Sequence, residues 1–134
     1  MTALDRLPAD RQEVLREIAA AVRARGRQRS DEVSVRPGVT WISFRSARAA
    51  RVFAEVRPGR QGFQAFLLPP RGELRDPAGL TRPAPQTQGW GWFRTKAVFR
   101  EAEVRPAVSL LVQFLDFAYR LPPSRRRRGG SDRG

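Results

Sequence analysis

Three short runs, at 39–46, 51–57 and 62–68, constrain the fold more than any other part of the chain. In the first two, β-branched and aromatic side chains recur with a period of two, and the third is rich in phenylalanine and leucine. Both patterns are typical of strands with a buried face. Pro58 and Gly59 separate the second run from the third and indicate an antiparallel hairpin.

The middle run also predicts which side chains share a face. Val52, Ala54 and Val56 alternate there with Phe53 and Glu55. Because successive side chains of a strand point to opposite faces, we expect Phe53 to lie on the same face as Glu55.

A fourth strand is predicted at 92–100, where a mostly apolar set of side chains alternates with a mostly basic set. The basic set is Arg94, Lys96, Val98 and Arg100. Such alternation is expected of a sheet that is covered on one side only. A short edge strand is predicted at 33–35, before a Pro-Gly pair.

Two helices complete the predicted architecture. In 8–25 the apolar residues recur at spacings of three and four, Pro8 suits the first helical position, and Gly26 suits the C-terminal stop. In 106–120 the polar residues share one narrow stripe, so that helix is expected to be largely buried. We predict an α+β fold in which an antiparallel sheet of four or more strands packs against this C-terminal helix and the amphipathic N-terminal helix.

Residues 1–121 are predicted to form a single domain, because 134 residues suffice for one core but not for two. The arginine-rich tail, 122–134, cannot bury itself and is predicted to be disordered. The segment 69–88 contains five prolines and is predicted to lack regular elements. It is either an extended surface connection or a lid over a ligand.

The absence of cysteine and histidine excludes thiolate catalysis and removes the commonest general base and transition-metal ligand. Catalysis would then depend on carboxylates such as Glu55, Glu73 and Asp76. We expect Glu55 to form a cross-strand ion pair and the other two to be solvated turn residues. The prediction is a protein that is not an enzyme and that uses no cofactor and no metal.

The formal net charge is +13, and the tail contributes +4 of it through five arginines and one aspartate. Residues 1–121 carry the remaining +9, which a polyanionic partner would explain. The other explanation is compositional, because Lys96 is the only lysine against 25 arginines, as expected of a GC-rich genome.

Aromatic residues interleaved with arginines predict nucleic-acid binding through a basic, aromatic-containing sheet face, although the core is the expected place for most phenylalanines. The candidate binding residues are Arg45, Arg57, Trp90, Trp92, Arg94, Lys96 and Arg100. An alternative is a module that binds a small ligand or an acidic protein, with 69–88, Trp90 and Trp92 as a rim. The salt dependence of binding distinguishes nucleic-acid binding from a ligand pocket, because polyanion binding weakens steeply with ionic strength.

No apolar run approaches membrane-spanning length, and the N-terminus shows no basic segment followed by an apolar one. We therefore expect no membrane association and a cytoplasmic location.

The order of these elements resembles a small bacterial and archaeal family of uncharacterised proteins that carry the label "predicted transport protein". The resemblance rests on the strand WISFRS, the strand VFAEVRP and the hairpin to GFQAFLL, and it covers roughly residues 33–120. Asp76-Pro77 with Gly79, the segment 89–92 and the Ala118-Tyr119 pair are similar as well. The resemblance implies a compact α+β domain that occurs alone or at the C-terminus of larger chains, some of them with nuclease-like domains.

Overall fold

The computed structural model describes residues 1–59, 62–67, 71–83 and 95–121. The described helices are α1 (Ala9–Gln28) and α2 (Val104–Arg120). The described strands are β1 (Val33–Pro37), β2 (Ile42–Ser46), β3 (Arg51–Pro58), β4 (Phe63–Leu67), β5 (Thr81–Pro83) and β6 (Thr95–Phe99). The predicted tail 122–134 and parts of the segment 69–88 lie outside the described residues.

The strands form one sheet in the order β1-β2-β3-β4-β6-β5, and every neighbouring pair is antiparallel. Both helices pack on the same face, because Ile18 of α1 and Phe114 of α2 share one buried cluster with Phe44 and Ala97 of the sheet. We call this face the core face and the opposite one the outer face. The predicted α+β architecture, with both helices against an antiparallel sheet, is confirmed.

A row of small side chains crosses the centre of the core face. Val56, Ala65, Ala97 and Thr81 lie opposite one another on four strands, and all are buried. These small side chains leave room for α2, whose Phe114 is fully buried.

A β-bulge changes the faces of β3. The register between β2 and β3 shifts after Phe44, so that Arg45 lies opposite Val52 and Phe53 is the extra residue. Phe53 is fully buried in the core, with its ring centroid 6.2 Å from that of Phe44. The expectation that Phe53 shares a face with Glu55 is therefore wrong, and Val52 occupies the outer face.

Helix α1 continues past the predicted end at residue 25, and Gly26 is not its stop. Gly26 lies buried in the last turn, where a Cβ atom would come within 2.6 Å of Val33 Cγ2. The glycine therefore serves the close approach of α1 to β1. The chain leaves the helix at Ser30, which adopts a left-handed conformation with φ of 56°.

Helix α2 begins at Val104, two residues before the predicted start at Pro106. Proline is tolerated there because the amides of the first turn have no partner within the helix. A 3₁₀ turn, Glu101–Glu103, precedes α2, and Glu103 Oε1 accepts a hydrogen bond from the amide of Arg100 at 2.7 Å.

The segment 69–88 contains regular elements, so the prediction that it has none is wrong. A 3₁₀ turn spans Arg71–Glu73, and β5 adds an edge strand beside β6. The carboxylate of Asp76 accepts hydrogen bonds from the amides of Leu80 and Thr81, at 2.9 and 2.8 Å, and from the Thr81 hydroxyl at 2.6 Å. Asp76 thus holds the start of β5, and it is not the solvated turn residue that we predicted.

The other strand boundaries lie close to the predicted ones. β3 and β4 match 51–57 and 62–68 to within a residue, β6 falls inside 92–100, and the predicted edge strand at 33–35 is β1. β2 starts later than the predicted 39–46, because residues 39–41 belong to a tight connection in which the Gly38 amide donates to the Trp41 carbonyl at 2.6 Å.

Substitution of the buried face of α2 tests this packing. Leu111→Asp or Phe114→Asp would place an unpaired charge at a site that is 1 % or 0 % exposed. Such burial costs several kcal/mol, comparable with a total stability of about 5–15 kcal/mol. We expect either variant to be unfolded at room temperature by circular dichroism. The exposed Ser109→Asp on the same helix should melt like the wild type, and an equally stable Leu111→Asp would contradict the packing.

Candidate functional site

A row of opposing side chains crosses the outer face from one edge of the sheet to the other. In strand order it runs Arg36, Ser43, Glu55, Phe66, Lys96 and Arg82. Directly opposed residues of an antiparallel pair project to the same face, with Cβ atoms about 4.5–5.5 Å apart. The register therefore brings together side chains that are far apart in the sequence.

Glu55 is the carboxylate of this row. Its Oε2 accepts a hydrogen bond from Ser43 Oγ on the neighbouring strand at 3.0 Å. It forms no ion pair within the described residues, so the expected cross-strand ion pair is wrong. None of the arginines on the outer face forms an ion pair within the described residues either.

Cations outnumber carboxylates on the outer face of the described strands. The cations are Arg36, Arg45, Arg57, Arg82 and Lys96, and the carboxylate is Glu55. Arg82 and Lys96 lie directly opposite each other on the β5–β6 pair. Like charges in that arrangement destabilise a sheet. The outer face therefore retains a repulsion that a polyanion would relieve.

Trp41, Arg57, Gln64 and Phe66 form an aromatic cluster on this face. Phe66 is only 1 % exposed, and the Trp41 ring meets it edge to face with the centroids 5.3 Å apart. The Arg57 guanidinium lies over the Trp41 ring, 5.2 Å from its centroid, and Arg57 Nε donates to Gln64 Oε1 at 3.1 Å. These contacts hold the guanidinium in place. Its two terminal nitrogens make no hydrogen bond to the described residues.

Two grooves adjoin the aromatic cluster. The first has a volume of about 370 Å³ and follows the β1–β2 connection from Arg36 to Ser43. The second has a volume of about 360 Å³ and lies between the N-terminal segment and the β3–β4 hairpin. Thr40 lines both grooves. The basic surface thus continues from the sheet into the space beside the N-terminal segment.

Four of the seven predicted site residues lie in the described part of the chain. Arg45, Arg57 and Lys96 project from the outer face on three different strands. Arg100 follows β6, and its side chain is exposed. Trp90, Trp92 and Arg94 lie outside the described residues.

Arg36 and Arg82 belong to the outer face but were missed by the sequence reasoning. The alternation of Val33 and Val35 with polar residues, extended by one position, would have placed Arg36 on this face. No comparable signal exists for Arg82, because β5 has only three residues and ends at a proline.

A buried polar cluster lies at the other end of β2, around Asp31. Asp31 is 6 % exposed, and its carboxylate accepts hydrogen bonds from Ser46 Oγ at 2.5 Å, the Tyr119 hydroxyl at 2.6 Å and the Arg48 amide at 2.8 Å. The cluster connects the start of β1, the β2–β3 turn and the C-terminal turn of α2. We call it the Asp31 tie.

Hydrogen bonding determines the charge state of the Asp31 tie. Burial raises the pKa of Asp31, but the bonds from Ser46, Tyr119 and the amides of Arg48 and Glu32 together outweigh burial and bring the pKa below the ordinary 3.8. Burial and the bond to Asp31 raise the pKa of Tyr119 well above its usual range. Asp31 is therefore ionised at neutral pH, and Tyr119 stays protonated as a donor. Because the protein itself supplies these donors, the cluster is a structural tie.

Within the described ranges, no group of three or more acidic residues is placed to hold a metal ion, and no helix is long and apolar enough to cross a membrane. No family model, curated protein or solved structure matches the chain. The family resemblance of residues 33–120 therefore stays a prediction, and any functional proposal depends on the geometry of the chain itself.

The Asp31 tie predicts a specific dependence of stability on pH. The pKa of Asp31 is lowered by folding, so its contribution is present above the ordinary 3.8 and is lost as the pH falls through the folded value. At neutral pH Asp31→Asn should lower the free energy of unfolding by about 1.5–3 kcal/mol. This difference from the wild type should shrink in acid, where the wild type loses the same interaction.

Chemical denaturation of both proteins across this pH range measures the difference. Glu13→Gln is the control, because Glu13 pairs with Arg16 at 3.8 Å on the exposed side of α1 and such a surface pair contributes less than about 1 kcal/mol. A destabilisation of Asp31→Asn that stays constant into acid would contradict the tie.

Proposed function

We propose that the domain is a non-catalytic module that binds single-stranded nucleic acid across the outer face of its sheet. The observation that supports it is the distribution of charge. On the described strands, five cations and one carboxylate share the face opposite both helices. Phosphate groups would neutralise the repulsion between these cations, and the release of counterions would supply binding free energy.

The width of the sheet favours a single strand over a duplex. Six strands spaced about 4.8 Å apart span roughly 24 Å. The major groove of a duplex is about 12 Å wide and admits a helix or a two-stranded ribbon. A single strand, in contrast, can lie on the broad face with its phosphates towards cations that extend from Arg36 at one edge to Arg82 at the other.

The cations of the outer face differ in their freedom to follow a ligand. Arg36, Arg45 and Lys96 make no hydrogen bonds through their side chains to the described residues, whereas Arg82 Nη1 donates to the carbonyls of Gly79 and Thr81 at 2.9 and 2.8 Å. About half to two-thirds of the hydrogen bonds between proteins and DNA go to phosphate and sugar and carry no sequence information, and cationic side chains without fixed partners suit that role. The proposal is therefore binding with little sequence preference.

A comparison of two triple variants tests the proposal. One variant replaces Arg36, Arg45 and Lys96 with glutamine, and the other replaces Arg23, Arg25 and Arg27 of α1, which are exposed on the helix layer. Both keep the same net charge and the same arginine tail. We expect the sheet variant to lose about 2 units from the slope of log K against log salt, because each lost phosphate contact on a single strand removes about 0.7.

Fluorescence anisotropy of a labelled single-stranded oligonucleotide across a salt series gives both slopes. The helix variant should bind like the wild type, and a duplex of the same sequence should bind more weakly than the single strand. Equal losses in the two variants would show that the attraction follows net charge alone, and the proposed interface would be wrong.

A further inference from the structure

The second groove offers a fixed guanidinium fork to a ligand. Arg57 is held from two sides, by the Trp41 ring at 5.2 Å and by Gln64 Oε1 at 3.1 Å from its Nε. The hydrogen bond to Gln64 uses Nε, and neither terminal nitrogen donates to a group in the described part of the chain. A planar fork presented in this way matches the two oxygens of a phosphate, and little side-chain entropy remains to be lost on binding.

A second guanidinium lies on the same groove. Arg6 lines it together with Thr40 and Gln64, and the Arg6 side chain is exposed. The N-terminal segment that carries Arg6 is attached to the sheet through the Ala3 amide, which donates to the Gly38 carbonyl at 2.7 Å. The groove thus combines one fixed and one exposed cation with a hydroxyl and an amide.

We propose that this groove binds the terminal phosphate of the single strand that lies on the outer face; the inference rests on the proposed function. Charge is the first reason. A terminal phosphate monoester carries nearly two negative charges at neutral pH, as phosphorylated side chains do, whereas each phosphate within a strand carries one. Two arginines on one groove, Arg6 and Arg57, match the dianion.

Position is the second reason. Arg57 and Gln64 project from the outer face beside the β3–β4 hairpin, and the segment from Ala3 to Leu7 forms the other wall of the groove. A strand that follows the outer face towards the hairpin meets this wall. The volume of about 360 Å³ lies at the lower end of the range of ligand pockets, roughly 300–1,000 Å³. It suits one phosphate with the sugar that bears it.

The test compares one short single-stranded oligonucleotide with a phosphate at its 5′ end, at its 3′ end, or at neither end. Binding to the full chain is measured by competition at fixed ionic strength. We expect one of the two phosphorylated forms to bind about ten- to a hundredfold more tightly than the unphosphorylated form, because hydrogen bonds between charged groups have that effect.

Substitutions of Arg57 and Arg6 test whether the preference for a terminal phosphate arises in this groove. Arg57→Gln and Arg6→Gln should each reduce the preference for the phosphorylated end, and Arg6→Gln should do so without changing the melting temperature. Arg57→Lys keeps the charge but not the fork, so it should keep the salt slope and lose part of the preference. Arg45→Gln, on the same face but away from the groove, should weaken all three oligonucleotides equally.

Equal affinity for the three oligonucleotides, or a preference that survives in both groove variants, would overturn the terminal-phosphate site and leave the proposed function intact. A nucleoside monophosphate that competes as well as the oligonucleotide would also overturn it, because the ligand would then be a free nucleotide. Failure of all three oligonucleotides to bind would overturn both proposals.

Discussion

The position of both described helices on one face of a six-stranded sheet determines the role of nearly every strand residue. On the core face packing selects the side chains, as the buried row of Val56, Ala65 and Ala97 beneath α2 shows. On the outer face neither described helix imposes that requirement, and there Phe66 is buried against Trp41 instead. Packing of the core therefore does not explain opposed cations such as Arg82 and Lys96, whereas the proposed binding of a polyanion, which would relieve their repulsion, would explain them.

The two ends of β2 lie beside different groups of polar side chains. At its C-terminal end the Asp31 tie joins β1, the β2–β3 turn and α2 through hydrogen bonds that the protein itself supplies. Near its N-terminal end Trp41 holds the Arg57 guanidinium, whose terminal nitrogens have no acceptor among the described residues. One end stabilises the fold, and the other holds the guanidinium that we propose as a phosphate donor. A preorganised donor binds more tightly than a mobile one because less entropy is lost.

Local periodicity was enough to predict the sheet, both helices and the basic alternation around Lys96. The departures arise from contacts between residues distant in the sequence. Phe53 enters the core through a bulge that depends on the register with β2, and Gly26 is selected by its contact with Val33 rather than by the end of a helix. Asp76 accepts hydrogen bonds that fix the turn before β5. Asp31 accepts a hydrogen bond from Tyr119, which lies 88 residues away in the sequence. The periodicity of apolar and polar residues along the chain does not predict contacts between residues that are distant in the sequence.

The most direct measurement of the interface is a map of methyl signals by nuclear magnetic resonance during titration with a single-stranded oligonucleotide. Val98 lies on the outer face and is 40 % exposed, Val39 lines the first groove and is 66 % exposed, and Ala20 is exposed on α1. The proposed interface predicts that the methyl signals of Val98 and Val39 shift with the oligonucleotide and that Ala20 stays unchanged. Shifts at Ala20 without shifts at Val98 would contradict it, because the strand would then lie on the helix layer.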